Sequence, residues 1–200
     1  MTVTRKTRAK GARELLLAAA RDVFVTAGYA EANVADIVDG AGSSVGALYH
    51  HFGGKSDLYI ALYDDYQSRQ AHRAARAFRT ALAAGEDDSL TLFLAAMRAY
   101  LNGCWEEREL ARLFLSGGGP PGFELLTRRR FRHWISTNSA MLSEHARPLS
   151  DTLVLVLTTL ATEAGREVAV QPSRAGAARF IDEILEIAAR LYPPDAAETP

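Results

Sequence analysis

One cysteine, Cys104, occurs in 200 residues, so no intrachain disulfide can form and a stapled scaffold is excluded. A lone thiol fits a reducing compartment, and the expectation is a cytoplasmic protein. Charge of one sign is also missing. Lys+Arg 23 against Asp+Glu 24 leaves a net charge of -1, so no whole-chain field announces a polyanionic partner. No apolar run reaches the ~18–20 residues that cross a bilayer. The most apolar stretch, 152–162, lies between Asp151 and Glu163 and contains several threonines. The basic start lacks the apolar segment of a signal peptide. Internal repeats and long low-complexity linkers are absent too. What is present in quantity is apolar side chain, 48%, enough for a sizeable core in one large domain or two smaller ones.

Charge is uneven along the chain. Arg5, Lys6, Arg8, Lys10 and Arg13 all precede the first acid, Glu14. Such an arm is either a solvated terminus or a holder of phosphate backbone, since each neutralised phosphate releases a counterion. Arg128, Arg129, Arg130 and Arg132 form a second cluster, read as the wet face of a helix. Pro193, Pro194 and Pro200 with Asp195 and Glu198 mark a short polar tail.

Period-two alternation is nearly absent, while apolar spacings of three and four recur throughout. Leu16, Ala19, Ala20, Val23, Phe24 and Ala27 form a stripe that Gly28 ends. Asn33 caps a short helix with Val34, Ile37 and Val38, and Ser44 caps another with Leu48, Tyr49 and Phe52. A longer helix runs from Lys55 to about Ala84. Ser89 is expected to cap the next, with a kink at Gly103, and it continues through Trp105, Leu110, Leu113 and Phe114. Residues 116–122 are the strongest breaker. Three more helices follow, the last two set off by Pro148 and Pro172. The expected fold is all-α, with about nine helices.

Residues 33–52 have the size and turn chemistry of a helix-turn-helix. The second helix presents a small, non-acidic face of Val45, Gly46, Ala47 and His50, while Leu48 and Phe52 point inward. Small residues let a helix approach base edges in a major groove. Gly46 costs ~1 kcal/mol against Ala inside a helix. Either something approaches its backbone from outside, or the glycine permits tight packing within the domain; composition leaves both open.

Residues 16–29 (LLAAARDVFVTAGY), 34–42 (VADIVDGAG), 44–52 (SVGALYHHF) and 55–58 (KSDL) resemble the N-terminal DNA-binding region of the tetracycline-repressor (TetR) family. The likeness covers about the first 60 residues. It implies a three-helix DNA-binding head at 1–54 and a larger helical domain at 55–200 that dimerises and binds an effector, with the fourth helix, 55–84, connecting them. Residue by residue, it implies that Ser44 caps the recognition helix and contacts phosphate, and that Val45 and Ala47 face base edges beside Gly46. Tyr49 and His50 would contact phosphate or bases. Asn33, Val34 and Lys55 would hold the backbone, and Arg5, Lys6, Arg8 and Lys10 would lie along the adjacent minor groove. Two departures stand out. Ser43 replaces an apolar turn residue, which implies a looser turn, and Gly54 replaces the usual serine cap before Lys55.

Other chemistry finds no support. His50 and His51 point about 100° apart and cannot easily share a metal, so neither metal nor cofactor is expected. Residues 117–122 satisfy G-x-G-x-x-G literally, yet Pro120 and Pro121 remove the amide donors a pyrophosphate needs, and no βαβ unit surrounds them. In Gly54-Lys55-Ser56 the first glycine of a P-loop falls at Tyr49. Cys104 has no suggestive histidine neighbour and reads as packing, so an enzyme is not expected.

The last two helices are apolar over more than one stripe. Leu153, Val156, Leu157 and Leu160 on one, and Phe180, Ile184, Ile187 and Leu191 on the other, are expected to form an isologous homodimer interface. Two copies would set their recognition helices about 34 Å apart on a near-palindromic operator. Phe93, Met97, Tyr100, Cys104, Trp105, Phe114, Phe123, Phe131, Trp134 and Met141 are the candidate lining for a hydrophobic effector. The function read from these features is a ligand-responsive regulator, more often a repressor, that an effector releases from double-stranded DNA, with no membrane partner. The alternative is an all-α small-molecule carrier or enzyme with a vestigial head. A structural interaction protein would use the last helices but leaves the head unexplained.

Overall fold

The computed structural model describes residues 2–115 and 117–192, apart from the side chains of residues 2–10. Among the described residues it is all-α: α1 (Thr2–Glu31), α2 (Val34–Gly40), α3 (Val45–Phe52), α4 (Lys55–Ala83), α5 (Ser89–Glu106), α6 (Arg108–Leu115), α7 (Phe123–Leu142), α8 (Asp151–Val170) and α9 (Arg174–Arg190). No described helix is long and apolar enough to cross a membrane.

The contacts divide the chain into two units, Met1–Gln67 with Ser116–Glu124, and Ser68–Leu115 with Leu125–Pro200. This division falls inside α4, not at the 54/55 boundary read from sequence. The cause is apolar: Leu58, Tyr59, Leu62, Tyr63 and Tyr66 on the first turns of α4 are all buried. Tyr59 sets its ring edge-on to Phe24 at 5.1 Å and to Tyr29 at 5.2 Å, so this part of α4 completes the core of the first unit.

In that core Leu16, Ala19, Ala20 and Phe24 form the buried stripe of α1. The helix breaks at Gly28, whose φ of 72° and ψ of 175° suit a residue without Cβ. The second unit packs α5 on α8 and α9, and α6 on α8. Leu92, Leu101, Cys104, Leu110, Val154, Leu157, Val168 and Ile181 are buried there.

Two local expectations change. Asp88, not Ser89, caps α5: its carboxylate accepts from Thr91 N at 2.9 Å, and Ser89 Oγ donates instead to Leu142 O at 2.8 Å. The break before α6 lies at Glu107 rather than Gly103. Gly103 stays helical, and a Cβ there would meet Gln70 Oε1 at 2.1 Å, so the glycine makes room for a neighbouring side chain.

Candidate nucleic-acid interface

The reading head is built from two short helices whose ends are closed by their own side chains. Asn33 Oδ1 accepts from Ala35 N at 3.0 Å to start α2, and Ser44 Oγ accepts from Ala47 N at 3.2 Å to start α3. Each satisfies an amide that the helix leaves unpaired. The turn between them is closed, not loosened by Ser43: Ser43 N donates to Val38 O at 2.8 Å, and Gly42 takes a φ of 56°. Gly53, at φ 68°, ends α3 with its amide on Tyr49 O.

Leu48 and Phe52 anchor α3 in the core. At 100° per residue, the direction opposite those two is held by Gly46 and His50. Val45, 47% exposed, and Tyr49, 54% exposed, form one flank of that outward face, with Ser44 exposed beside them. Ala47 and His51 form the other, half-buried flank. Asn33 is exposed and Val34 half-buried at the start of α2.

Gly46 separates the two readings that composition left open. A Cβ added there would meet only Ser44 Oγ, at 3.9 Å, which is ordinary contact. Packing within the protomer therefore does not require glycine at this position.

Lys55 corrects an expectation. Its Nζ donates to Tyr29 O at 2.9 Å, Ala30 O at 3.2 Å and Ala32 O at 2.9 Å, and lies 4.6 Å from the centre of the Tyr29 ring. An ammonium has three N–H donors and all three are used. Lys55 is thus a staple that caps the end of α1, not a free phosphate contact. Tyr29 is held in turn by its hydroxyl on Ser56 Oγ at 2.8 Å. Arg13 is also drawn inward, over the Phe52 ring at 5.0 Å. Burial, with Tyr29 and Tyr63 close by, pushes the Tyr59 hydroxyl pKa well up, so it stays neutral. The side chains of Arg5, Lys6, Arg8 and Lys10 lie outside the described residues. Residues 11–67 hold three cations against eight acids, so the arm carries the positive charge of this unit.

A family model described as bacterial regulatory proteins, tetR family, matches residues 16–62, which span this head from α1 into α4. The head is a TetR-family head. Over 71 residues the chain is 35% identical to the transcriptional repressor AcnR of Corynebacterium glutamicum, covering 36% of this chain and 38% of AcnR. Over 68 residues it is 40% identical to the transcriptional activator FasR of Mycolicibacterium smegmatis, covering 34% of this chain and 31% of FasR. The matched part thus spans about a third of the length of these relatives. The fold likeness extends further. FadR from Bacillus subtilis, in complex with stearoyl-CoA, superposes with a TM-score of 0.68 over 88% of this chain and 96% of that one, at 14% identity.

Beyond the TetR-family head, the structure sorts the other candidates. Phe93, Met97, Cys104 and Phe114 are buried in the second unit, with Tyr100, Trp105 and Phe131 half-buried. Gly165 of α8 lies against this set: a Cβ there would meet Cys104 Sγ and Tyr100 Oη, both at 3.1 Å. Phe123 does not join them. It belongs to the first unit, edge-on to Tyr59 at 5.2 Å and Tyr63 at 5.0 Å. Trp134 and Met141 are 39% and 37% exposed, so they line no closed interior in the isolated chain. A cleft of about 300 Å³ bordered by Arg13, Leu17, Ala61, Asp64 and Asp65 opens in the first unit and contains none of the ten.

Of the dimer candidates, Val156, Ile187 and Leu191 are exposed, and Leu153, Leu160, Phe180 and Ile184 are half-buried. Leu157 is wholly buried in its own protomer and offers nothing to a partner. Leu155, 44% exposed beside Val156, adds to this exposed apolar surface. The sequence reading missed Glu107, enclosed by Arg69 and Arg73 of α4: Arg69 Nε donates to it at 2.8 Å, and Arg73 pairs with it closely. Burial raises its pKa, but these hydrogen bonds and charges outweigh burial and hold the carboxyl below its usual range.

Proposed function

We propose that the chain is a ligand-responsive transcriptional regulator that reads a near-palindromic DNA operator as a homodimer. The observation that carries this is the outward face of α3, where Gly46 has no internal reason to be glycine. In this reading Val45, Gly46 and Ala47 approach base edges, Tyr49 and His50 contact bases or phosphate, and Ser44, Asn33 and Val34 present helix N-termini to the backbone. Arg5, Lys6, Arg8 and Lys10 supply the counter-charge. Lys55 supports the site from behind, by fixing the end of α1 against α4.

Leu155, Val156, Ile187 and Leu191, exposed apolar residues on α8 and α9, support an isologous pairing that repeats the reading helix along one duplex. The buried aromatic and thioether set of the second unit supports a small, largely apolar effector. Such an effector acts only through differential affinity: it releases DNA if it prefers a conformation whose two heads do not match the operator. One relative is a repressor and the other an activator, so this head serves both signs of control among the chain's relatives. The protein acts in the cytoplasm, beside the chromosome.

The test is selection of bound duplexes from a random pool at fixed salt. Enrichment of a motif with two inverted half-sites about one helical turn apart is expected. Recovery of no motif, or of a single unrepeated half-site, refutes the reading.

A further inference from the structure

We propose that α7 carries a second duplex-binding surface, which grips phosphate backbone without reading sequence. Residues 125–142 contain four arginines, one histidine and no acid. Arg128, Arg129, Arg132 and His133 are exposed. At 100° per residue, Arg129, Arg132 and His133 share a face about 100° wide with Leu125 and Ser136. The side chains of Arg129 and Arg132 form no ion pair or hydrogen bond among the described residues, whereas Arg128 and Arg130 have interactions of their own.

Arg128 and Arg132 stand four residues apart on α7. Like charges at this spacing repel, and the one acid on α7, Glu124, lies four residues before Arg128 but eight before Arg132, out of that residue's reach. A polyanion offsets them directly, and each guanidinium can take two phosphate oxygens at once. A lipid surface fits less well. It requires a continuous apolar side next to the cations to insert, but Leu125 is the single large apolar residue on this face, the exposed Trp134 and Met141 lie on the far side of the helix, and Phe131, Ile135 and Leu142 are turned inward to differing degrees. The head's composition gives the surface a role. Residues 11–67 are acidic on balance and Lys55 is occupied, so phosphate neutralisation beyond the arm needs cations from another part of the chain.

The experiment measures affinity of the full chain for a random-sequence duplex by fluorescence anisotropy across salt, for wild type, R129Q/R132Q and R129K/R132K. Losing two phosphate contacts makes the slope of log K against log salt shallower by about 1.8 per protomer. The advantage of wild type over the Gln pair should then shrink about tenfold between roughly 50 and 200 mM salt. The Lys pair should keep the wild-type slope. An unchanged slope in the Gln pair overturns the proposal, as does loss of binding to phosphatidylglycerol vesicles with duplex binding intact. Tyr49→Ala keeps the two readings apart. It should abolish preference for a selected operator while leaving the slope difference on random duplex in place, so failure of one reading does not imply failure of the other.

Discussion

Replacing Lys55 by Met removes the ammonium and keeps much of the stem. Three charge-assisted hydrogen bonds are lost, to Tyr29, Ala30 and Ala32, together with the contact over the Tyr29 ring. A hydrogen bond to a charged group is worth about 1.5–3 kcal/mol, but these three share one donor atom and are not additive. The carbonyls are only partly buried, so water recovers some of the loss, and a cation–π contact at such a site adds about 0.5–1 kcal/mol. The net cost is about 2–4 kcal/mol, carried by the head. Both tryptophans, Trp105 and Trp134, lie in the second unit, so fluorescence does not report on this change. Hydrogen exchange of α1 and α2 amides does, and protection there should fall by one and a half to three orders of magnitude, by about 1.4 kcal/mol per tenfold. The salt slope of DNA binding by the folded fraction should not change. Unchanged protection with a slope shallower by about 0.9 would refute the staple and return Lys55 to the phosphate backbone. Lys55→Arg should recover little, because a planar guanidinium cannot converge on three carbonyls as an ammonium does.

Glu107 gives a pH-dependent prediction. Its folded pKa is below that of the unfolded chain, so its contribution to stability is complete above the ordinary value of 4.5 and is lost as pH falls through the lower folded value. Glu107→Gln should therefore flatten the acid side of the stability profile in that window, measured by denaturant unfolding at a series of pH values; a profile parallel to wild type would contradict the Arg69–Glu107–Arg73 cluster. Ile187→Asp places a charge on the exposed face of α9 and should give folded monomers by sedimentation, whereas a variant that remains dimeric would move the interface elsewhere. Leu157→Ala opens a cavity in the protomer core and should cost about 2–5 kcal/mol in unfolding free energy. A loss below about 0.5 kcal/mol would show that Leu157 is not packed as described.

The helices and the two caps of the reading head were legible because their signals are local. Asn33 and Ser44 close amides two and three residues away. Misreadings arose where the partner is distant in sequence. Lys55 reaches carbonyls 23 to 26 residues back, and its charge alone gives no hint of that. Ser89 loses the cap to its neighbour Asp88 because Leu142 O, 53 residues on, takes its hydroxyl. Gly103 looks like a hinge by residue type, yet Gln70 fills the space its missing side chain leaves. Phe123 has the composition of an effector pocket, and only the tertiary contact with Tyr59 and Tyr63 assigns it to the head. On α8, period alone could not separate Leu157, which faces inward, from Leu155 and Val156, which face out.

Gly46→Ala probes the open space in front of the reading helix directly. Inside the protomer the new methyl meets nothing closer than 3.9 Å, so unfolding free energy should hold or rise by up to about 1 kcal/mol. Against a duplex seated on α3 the same methyl is overpacked, at a typical cost of about 1–3 kcal/mol, which lowers operator affinity roughly 5- to 150-fold. Weaker operator binding by a protein at least as stable as wild type is the predicted result. Operator affinity unchanged by the methyl would contradict the claim that DNA is what approaches this face.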